Sequence, residues 1–412
     1  MKVAPIIRAI GNHNQRLLVR KRDHGNDSEL IQHVLVHTGQ HYDAVMSDSF
    51  FADLNLPSPD VHLAVGSASH ATQTAEIMKR FEPVLLREKP DALVVVGDVN
   101  STVACALVAS KISFDASGTR PLIAHVEAGL RSFDRTMPEE INRIVTDQLS
   151  DLLFVTEESA MRNLSREGVP AEKVHFVGNT MIDSLLACET KANGSEILDD
   201  LVLRSPAGSN GPAGPVAAYA VLTLHRPANV DCRDAFLDIL EGLEELAKEC
   251  IIVFPAHPRT WVRITEFRLE NYFEANHNGN GYERSGKVTR SRGIHLIQPV
   301  GYLDFVCLVK NARLVVTDSG GIQEETTCLG IPCVTVRENT ERPVTLVSGT
   351  NVLAGTTKEG IAAAIRQQMN AKPISSTPKN WDGHAAARIV AVLSRVWSER
   401  NHLEPLSQAP DA

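Results

Sequence analysis

The hydrophobic positions of this chain fall into short runs of strand length that alternate with longer stretches in which apolar residues recur every three or four positions. Residues 92–98, 121–127 and 314–316 are typical of the short runs, and each is followed by glycine or polar residues before the next helical stretch begins. Such alternation is typical of parallel sheets that are covered by helices on both faces. We therefore predict an α/β fold with two doubly wound, Rossmann-like domains that face a central cleft. The predicted strands are 33–39, 61–65, 92–98, 121–127, 152–155, 218–224, 251–257, 294–299, 314–316, 332–336 and 351–355, and the predicted helices are 43–54, 71–89, 101–110, 138–150, 231–250, 303–311 and 383–400.

The pattern also predicts how the chain divides into domains. Residues 1–180 are expected to form an N-terminal Rossmann-like domain and residues 181–378 a C-terminal one. Residues 379–412 are expected to contribute a last helix and tail that cross back to the first domain.

Three segments interrupt the regular alternation. Residues 1–11 are amphipathic and predicted to be helical, and residues 16–30 read as a charged connector. Residues 191–215 are rich in Gly, Ser and Pro, so we expect a flexible connector there.

Composition narrows the classes of function. The 412 residues include 41 Lys and Arg against 50 Asp and Glu, a net charge of −9, which gives no reason to expect nucleic acid or an anionic membrane as a partner. The seven cysteines form no CxxC pair, which argues against a zinc site and a disulfide framework and indicates a reducing cytoplasm. No apolar run approaches the roughly 18 residues of a membrane span.

The stretch 313–330, RLVVTDSGGIQEETTCLG, carries the clearest sign of a binding site. A strand ends at Asp318, and Ser319, Gly320 and Gly321 lead directly into a helix. Glycines allow close backbone approach, and free N–H groups at a helix start favour an anion such as phosphate. Glu325 lies close by and is better suited to accept hydrogen bonds from a sugar diol. We interpret the stretch as a nucleotide site, with an ordinary capped turn as the alternative.

Three carboxylates follow predicted strands of the first domain. Asp98 ends one strand, Glu127 ends the next, and Glu139 begins the following helix. Because the ends of parallel strands meet at one edge of a sheet, we expect these groups to lie together and to raise one another's pKa, as acid–base catalysis requires. Each also has a structural explanation: Asp98 and Glu127 as turn residues, and Glu139 as a helix-start acid paired with Arg143.

The second domain offers cationic groups at its own strand ends. His225 follows the strand 218–224 and could hydrogen-bond a phosphate, and Arg342 lies beyond the strand 332–336, where it could bind a diphosphate. Their structural alternatives are a satisfied strand-end histidine and a surface ion pair. The Walker-like spacing of 281–287 lacks both a preceding strand and a Ser or Thr at Val288, so we interpret it as a loop.

Eight segments together closely resemble the non-hydrolysing UDP-N-acetylglucosamine 2-epimerases, in one order over nearly the whole chain. They are HTGQHYD (37–43), VVVGDVNST (94–102), HVEAGLRS (125–132), MPEEINR (137–143), TLHR (223–226), HPRT (257–260), TDSGGIQEE (317–325) and TERP (340–343). The resemblance implies the two-domain glycosyltransferase-B fold, a homodimer and interconversion of UDP-N-acetylglucosamine and UDP-N-acetylmannosamine. The reaction proceeds by loss of UDP to a 2-acetamidoglucal and its re-addition, without a nicotinamide cofactor or a metal.

The resemblance also implies roles for individual residues. Asp98, Glu127 and Glu139 would be the acid and base groups near C2, with His225 on the departing diphosphate. The UDP-sugar would be bound by the second domain together with one residue of the amino terminus. These binding residues are Lys2, Phe305 near the uracil, Ser319, Gly320, Gly321, Arg342 on the phosphates, and Glu325 on the ribose.

The chain departs from the family pattern at its start. Relatives begin with a strand and a Gly-Thr-Arg-Pro turn, whereas this sequence begins just after it and retains only the lysine, Lys2. We therefore expect the first strand of the N-terminal domain to be missing, with reduced stability and activity. The alternatives are a glycosyltransferase of the same fold and a catalytically impaired nucleotide-sugar binder. A 2,3-diacetamido uronate is the alternative sugar.

Overall fold

A computed structural model describes residues 1–24, 30–39, 51, 53–205, 214–274, 291–371 and 377–402. The chain forms two compact units, Met1–Ser184 with Lys379–Ala412, and Leu185–Pro378. Most of the predicted helix at 43–54 and the whole interpreted loop at 281–287 lie outside the described residues.

The first unit alternates strands and helices, because short β-branched runs are followed by amphipathic stretches. Its strands are β1 (Val36–His37), β2 (Val61–His62), β3 (Ala92–Val96), β4 (Leu122–Ala128), β5 (Leu152–Val155) and β6 (Val174–Phe176). Its helices are α1 (Ala4–His24), α2 (His70–Glu88), α3 (Asn100–Lys111), α4 (Pro138–Leu149), α5 (Glu158–Arg166), α6 (Thr180–Ala192, which runs on into the second unit) and α16 (Ala385–His402).

The strands of the first unit are all parallel and form two separate sheets. One sheet has the order β3-β4-β5-β6, and β1 pairs with β2 in the other. No strand joins the two sheets among the described residues, and the first described element is helix α1 rather than a strand. The prediction of a helix at residues 1–11 is confirmed, but the connector predicted at 16–30 is wrong as far as residue 24, because α1 continues to that point.

Two apolar layers enclose the larger sheet of this unit. Helices α2 and α3 cover one face, where Ile77, Phe81 and Ile123 are buried. Helices α1 and α16 cover the other face, where Ile6 and Ile389 pack beside strands β4 and β5. The central strands β4 and β5 are buried on both sides, as parallel strands usually are.

The segment after residue 377 is anchored to the first unit by specific hydrogen bonds. The Trp381 indole donates to the Thr156 carbonyl at 3.0 Å, and the Asp183 carboxylate accepts from the first N–H groups of α16, those of Ala385 and Ala386. These bonds satisfy the free donors of a helix start.

The second unit contains one six-stranded parallel sheet in the order β12-β11-β10-β7-β8-β9. Its strands are β7 (Tyr219–Thr223), β8 (Ile251–Pro255), β9 (Gly293–Ile297), β10 (Leu314–Thr317), β11 (Cys333–Thr335) and β12 (Asn351–Leu353). Its own helices are α7 (Ile197–Asp200), α8 (Pro227–Val230), α9 (Arg233–Gly242), α10 (Glu244–Glu249), α11 (Pro258–Phe267), α12 (Tyr302–Asn311), α13 (Gly320–Leu329), α14 (Val344–Val347) and α15 (Lys358–Met369). Two layers of buried aliphatic residues enclose the sheet.

Two predictions about this unit are wrong. Residues 191–205 are not a flexible connector, because α7 and the following turn bury Leu198, Leu201 and Leu203 against the sheet. The predicted helix at 231–250 is two helices, α9 and α10, that meet at Leu243. Every helix in the described part of the chain is too short or too polar to cross a lipid bilayer.

Candidate functional site

In the first unit, the ends of β3 and β4 bring two of the predicted carboxylates to one edge of the sheet. Val96 pairs with Val126, so Gly97 and Asp98 emerge from β3 beside Glu127 of β4. The Glu127 carboxylate lies so close to Gly97 that a Cβ added there would be 3.5 Å from Oε2. Asp98 and Glu127 therefore share one strand-end rim, as the topology predicts.

Glu127 has a strained backbone and an immediate cationic partner. Its φ of 75° is in the left-handed region, and the register between β4 and β5 shifts at this point. Such strain costs about 1–3 kcal/mol and is concentrated at functional sites. The side chain is buried and forms an ion pair with the Lys2 ammonium group.

Asp98 is held by helix α4. The Arg143 guanidinium forms an ion pair with Asp98 at 2.5 Å and with Glu140 at 2.6 Å, and the Asn142 amide donates to the Asp98 carbonyl at 2.9 Å. Glu139 is half-buried and precedes Asn142 and Arg143 by three and four positions, so all three lie on one face of α4.

Two expectations about these carboxylates need correction. The proposed ion pair of Arg143 with Glu139 is wrong in this structure, because Arg143 pairs with Glu140, whose carboxylate also accepts from the backbone N–H groups of Ser132 and Phe133. The expected crowding of carboxylates against one another does not dominate their surroundings either. Asp98 forms an ion pair with Arg143, and Glu127 forms one with Lys2.

In the second unit, a buried aspartate organises the ends of β7 and β10. Asp318 accepts hydrogen bonds from the backbone N–H groups of His225 and Arg226 and from the Asn229 amide, at 2.9–3.2 Å. The His225 ring, whose side chain is 61% exposed, approaches Asp318 at 2.7 Å through Nδ1. Asp318 therefore orients the His225 ring through Nδ1, and the other ring nitrogen, Nε2, faces solvent.

The charge of Asp318 is stabilised by these donors. Burial acts to raise its pKa, but the hydrogen bond and charge of His225, with the donors of Arg226 and Asn229, hold the pKa below the ordinary value of 3.8. The ionised Asp318 carboxylate therefore holds the His225 ring through Nδ1.

The glycine turn after β10 leads directly into helix α13, and a helix start of this kind favours an anion. Ser319 precedes α13 without capping it through its side chain, so the first N–H groups of that helix have no side-chain cap. The Arg342 guanidinium lies against Gly320, and a Cβ added at Gly320 would collide with it. Gly320 is thus required for this close approach, and Gly321 follows it in the first turn of α13.

Arg342 is not a surface ion pair. It is buried, and it pairs with the carboxylates of Glu324, at 2.9 Å, and Glu341. Two buried acids therefore fix the guanidinium beside the start of α13.

Glu325 lies in α13 and is buried next to Tyr302 of α12. The Tyr302 hydroxyl donates to Glu325 Oε1 at 3.0 Å. Burial, together with the neighbouring charge of Glu324, raises the Glu325 pKa from 4.5 to about 7, although the Tyr302 hydrogen bond acts to lower it. A strongly perturbed carboxyl of this kind is typical of binding and catalytic sites. Phe305, one turn along α12 from Tyr302, is partly buried against the sheet.

Sequence reasoning assigned no site role to Asp318, Tyr302 or Glu140. Asp318 stood within the glycine stretch but was interpreted only as the end of a strand. The signal that could have singled it out is an acid at a fully apolar strand end, where an unpaired charge would be costly.

Comparisons with known proteins identify the family of this chain. The sequence profile of a family described as UDP-N-acetylglucosamine 2-epimerase matches residues 24–394. The chain belongs to the UDP-N-acetylglucosamine 2-epimerase family. The resemblance inferred from the sequence is therefore confirmed, and so is the α/β fold with two Rossmann-like units.

Individual members of the family are similar over almost their full length. A UDP-N-acetylglucosamine 2-epimerase of Methanocaldococcus jannaschii is 40% identical over 405 residues, which cover 96% of this chain and 95% of the relative. A UDP-2,3-diacetamido-2,3-dideoxy-D-glucuronate 2-epimerase of Pseudomonas aeruginosa is 37% identical over 373 residues, 90% of this chain and 93% of the relative.

Solved structures of the family share the fold. The crystal structure of the Methanocaldococcus jannaschii UDP-GlcNAc 2-epimerase in complex with UDP-GlcNAc and UDP has a TM-score of 0.77 and 39% identity, and the match covers 96% of both chains. The fold of this family is the glycosyltransferase-B fold.

Proposed function

We propose that this protein interconverts UDP-N-acetylglucosamine and UDP-N-acetylmannosamine by eliminating UDP and adding it back. A base removes the proton from C2, the C–H electron pair becomes the C1–C2 double bond of 2-acetamidoglucal, and the C1–O bond breaks as UDP leaves with its electron pair. Return of UDP to C1 and of a proton to the other face of C2 gives the epimer.

The carboxylates of the first unit are suited to the proton transfers. A C2 proton is weakly acidic, so its removal requires a carboxylate placed in contact with it. Asp98 and Glu127 share one rim, and we assign them, with Glu139 on the adjoining face of α4, as the acid and base groups. Lys2 contacts Glu127, and we assign it to substrate binding beside that carboxylate.

The groups of the second unit are suited to the departing UDP. We assign Ser319, Gly320 and Gly321 to the phosphates through the start of α13, with Arg342 beside them and His225 on the leaving diphosphate. Stabilising the charge that develops on UDP lowers the barrier for breaking the C1–O bond.

The nucleoside contacts complete the assignment. Glu325 accepts hydrogen bonds from the ribose hydroxyls, and Phe305 contacts the uracil. Burial makes the Glu325 carboxyl costly to ionise and raises its pKa. Hydrogen bonds from two ribose hydroxyls stabilise the ionised form most where that cost is high, so the raised pKa supports a role in ribose binding.

The observation that carries the proposal is the strand-end rim of the first unit, where a strained Glu127 lies against Gly97 beside Asp98. A matching family profile over residues 24–394 supports the reaction class. The proposal needs no nicotinamide cofactor and no metal, since only a proton and UDP are exchanged.

Incubation with UDP-N-acetylglucosamine in D2O tests the proposal. We expect deuterium at C2 and a mixture of gluco and manno products, detected by proton NMR. Transfer of the sugar to an added acceptor would instead favour a glycosyltransferase, and binding without exchange would favour an inactive binder.

The substrate, the assembly and the location are part of the same proposal. The Methanocaldococcus jannaschii relative is named for UDP-N-acetylglucosamine, and its solved structure contains that nucleotide sugar, so we propose the same substrate in preference to a 2,3-diacetamido uronate. Parallel assays with both sugars decide between them. We also propose a cytoplasmic homodimer, which sedimentation and cell fractionation test.

A further inference from the structure

A chain of four ionisable side chains lies beneath the rim of Asp98 and Glu127, and the proposed reaction does not use it. His125 of β4 contacts Asp147 of α4 at 2.7 Å, Asp147 pairs with Arg131 at 2.7 Å, and Arg131 pairs with Glu167 at 2.7 Å. The His125, Asp147 and Arg131 side chains are at most 1% exposed, and only Glu167 reaches the surface. Burying so many ions is costly unless each is paired, and here each is paired.

The hydrogen-bond partners of His125 link two parts of the site. Nδ1 is 2.7 Å from Asp147 Oδ1, and Nε2 is 2.8 Å from the Gly97 carbonyl oxygen. A carbonyl oxygen can only accept, so Nε2 carries a hydrogen and donates it to Gly97. The ring therefore bridges the Gly97 peptide and the Asp147 carboxylate.

Asp147 is held in its ionised form by its other contacts. Its second oxygen, Oδ2, accepts from the Gly129 N–H at 3.0 Å and pairs with Arg131. Burial acts to raise the pKa of Asp147, but the hydrogen bond and charge of His125 and the charge of Arg131 hold it below the ordinary value. The Asp147 carboxylate therefore links His125, Arg131 and the Gly129 N–H.

This cluster is hydrogen-bonded to the backbone just before Asp98 and just after Glu127. The Gly97 carbonyl, which accepts from His125, belongs to the peptide that leads into Asp98, and the Gly97 N–H donates to the Val126 carbonyl at 3.0 Å. Gly97 has a φ of 74°, a left-handed conformation that glycine adopts readily. Asp147 meanwhile holds the N–H of Gly129, two residues after Glu127.

We propose that His125 is a positioning residue, which through its hydrogen bond to the Gly97 carbonyl fixes the Gly97–Asp98 turn and so sets the position of the Asp98 carboxylate relative to Glu127. The inference rests on the proposed function, because positioning matters only if these carboxylates act on a substrate. His125 itself touches no substrate in this proposal. An apolar residue of equal size could fill the same space, but it would leave the Gly97 carbonyl and the Asp147 carboxylate unpaired.

The first test compares His125→Gln with a matched control. His175 occupies the middle of β6 in the same sheet, stacks on Phe154 at 5.7 Å and has no hydrogen-bond partner at Nε2, so His175→Gln perturbs the sheet without touching the charged cluster. Misplacement of a reacting group by about 1 Å costs roughly 100-fold in rate. We expect kcat to fall by about that factor in His125→Gln, with KM and UDP affinity within a few fold of wild type, and His175→Gln to keep the wild-type kcat.

Each outcome of this comparison has a definite meaning. Wild-type kcat in a folded His125→Gln variant would overturn the inference, and so would an equal loss in His175→Gln. A wild-type protein that exchanges no deuterium at C2 would instead refute the proposed function, so the two failures are distinguishable.

A spectroscopic measurement covers the case in which His125→Gln does not fold. Nitrogen-15 NMR of histidine-labelled wild-type protein at pH 7–8 reports the state of each ring, and His125 can be assigned from its hydrogen bond to Gly97. We expect Nε2 of His125 to carry a proton, because it donates to the Gly97 carbonyl. An unprotonated Nε2 in His125 would overturn the inference.

Discussion

Replacement of Glu325 by Gln is expected to stabilise the protein at alkaline pH while weakening nucleotide binding. Glu325 is buried beside Tyr302, and its pKa is raised from 4.5 to about 7. Gln has nearly the same shape and can still accept the Tyr302 hydrogen bond, so the variant removes the charge and little else.

The magnitude follows from the pKa. Between pH 4.5 and 7 the unfolded chain loses the Glu325 proton while the folded protein keeps it, so wild-type stability falls as pH rises through this window and levels off above it. Each pKa unit corresponds to about 1.4 kcal/mol, and the change from 4.5 to about 7 therefore corresponds to roughly 3 kcal/mol at pH 8.

The assay is urea denaturation of wild type and Glu325→Gln at pH 4.5 and pH 8, with Glu249→Gln as the control because Glu249 is an exposed acid of the same unit. Other titrating groups cancel in the difference between variant and wild type. We expect the two proteins to be similar at pH 4.5 and the Gln variant to be about 3 kcal/mol more stable at pH 8. The Glu249→Gln variant should show no such divergence.

Binding should change in the opposite direction. Hydrogen bonds to a charged acceptor are worth about 1 kcal/mol more than those to a neutral one, so we expect UDP to bind to Glu325→Gln roughly fivefold more weakly at pH 8. Calorimetric titration measures this. A Gln variant that loses stability at pH 8, or one that binds UDP as well as wild type, would refute the reasoning about this residue.

Two further substitutions test buried charged groups at the strand ends of the first and the second unit. Arg143→Met leaves the carboxylates of Asp98 and Glu140 without their shared cation, so we expect a loss of about 3–5 kcal/mol in urea denaturation and no C2 exchange. Asp318→Asn places an amide N–H₂ group among hydrogen-bond donors, including the His225 N–H. We expect the free energy of unfolding to fall by about 1–3 kcal/mol at pH 7, and kcat to fall as well. Because the Asp318 pKa is lowered, its contribution is present above about pH 4 and is lost as pH falls further, so the variant should be less sensitive to acid than wild type.

Surface substitutions of the same kind serve as controls for these two variants. Arg162→Met and Asp234→Asn replace exposed side chains, the latter 91% exposed, and should stay within about 0.5 kcal/mol of wild type. If Arg143→Met is as stable as Arg162→Met, the guanidinium does not bridge Asp98 and Glu140. If Asp318→Asn unfolds in acid as readily as wild type, Asp318 is not the ionised anchor described above.

The positions of the strand ends could be predicted because they depend on simple physical rules. Apolar runs such as Ala92–Val96 and Leu122–Ala128 are too hydrophobic to lie anywhere but inside a sheet, and parallel pairing then brings the residues that follow them to one edge. The proximity of Asp98 and Glu127 can therefore be predicted from these rules alone.

The partners of those residues could not be predicted in the same way. Both Glu139 and Glu140 lie within one helical turn of Arg143, and spacing alone does not choose between them. The choice is made by the loop before α4, since Glu140 accepts the N–H groups of Ser132 and Phe133 and is thereby drawn inward.

Amino-acid composition gave a wrong prediction where a few apolar residues determine the local structure. The Gly, Ser and Pro content of residues 191–215 predicted a flexible connector, yet Leu198, Leu201 and Leu203 are buried against the second sheet. Their spacing of two to three residues is a weak signal that the surrounding polar residues concealed, and burial of three leucines outweighs the local preference for loop.

The central claim is that the carboxylates of the first unit move the C2 proton of a UDP-sugar. The most direct test is proton NMR of UDP-N-acetylglucosamine incubated in D2O with wild type, Asp98→Asn and Glu127→Gln, each checked for UDP binding. We predict that wild type incorporates deuterium at C2 and forms the manno epimer, whereas both variants bind UDP and exchange C2 at least 100-fold more slowly, as expected for loss of general acid–base catalysis. Exchange at the wild-type rate in both variants would contradict the account.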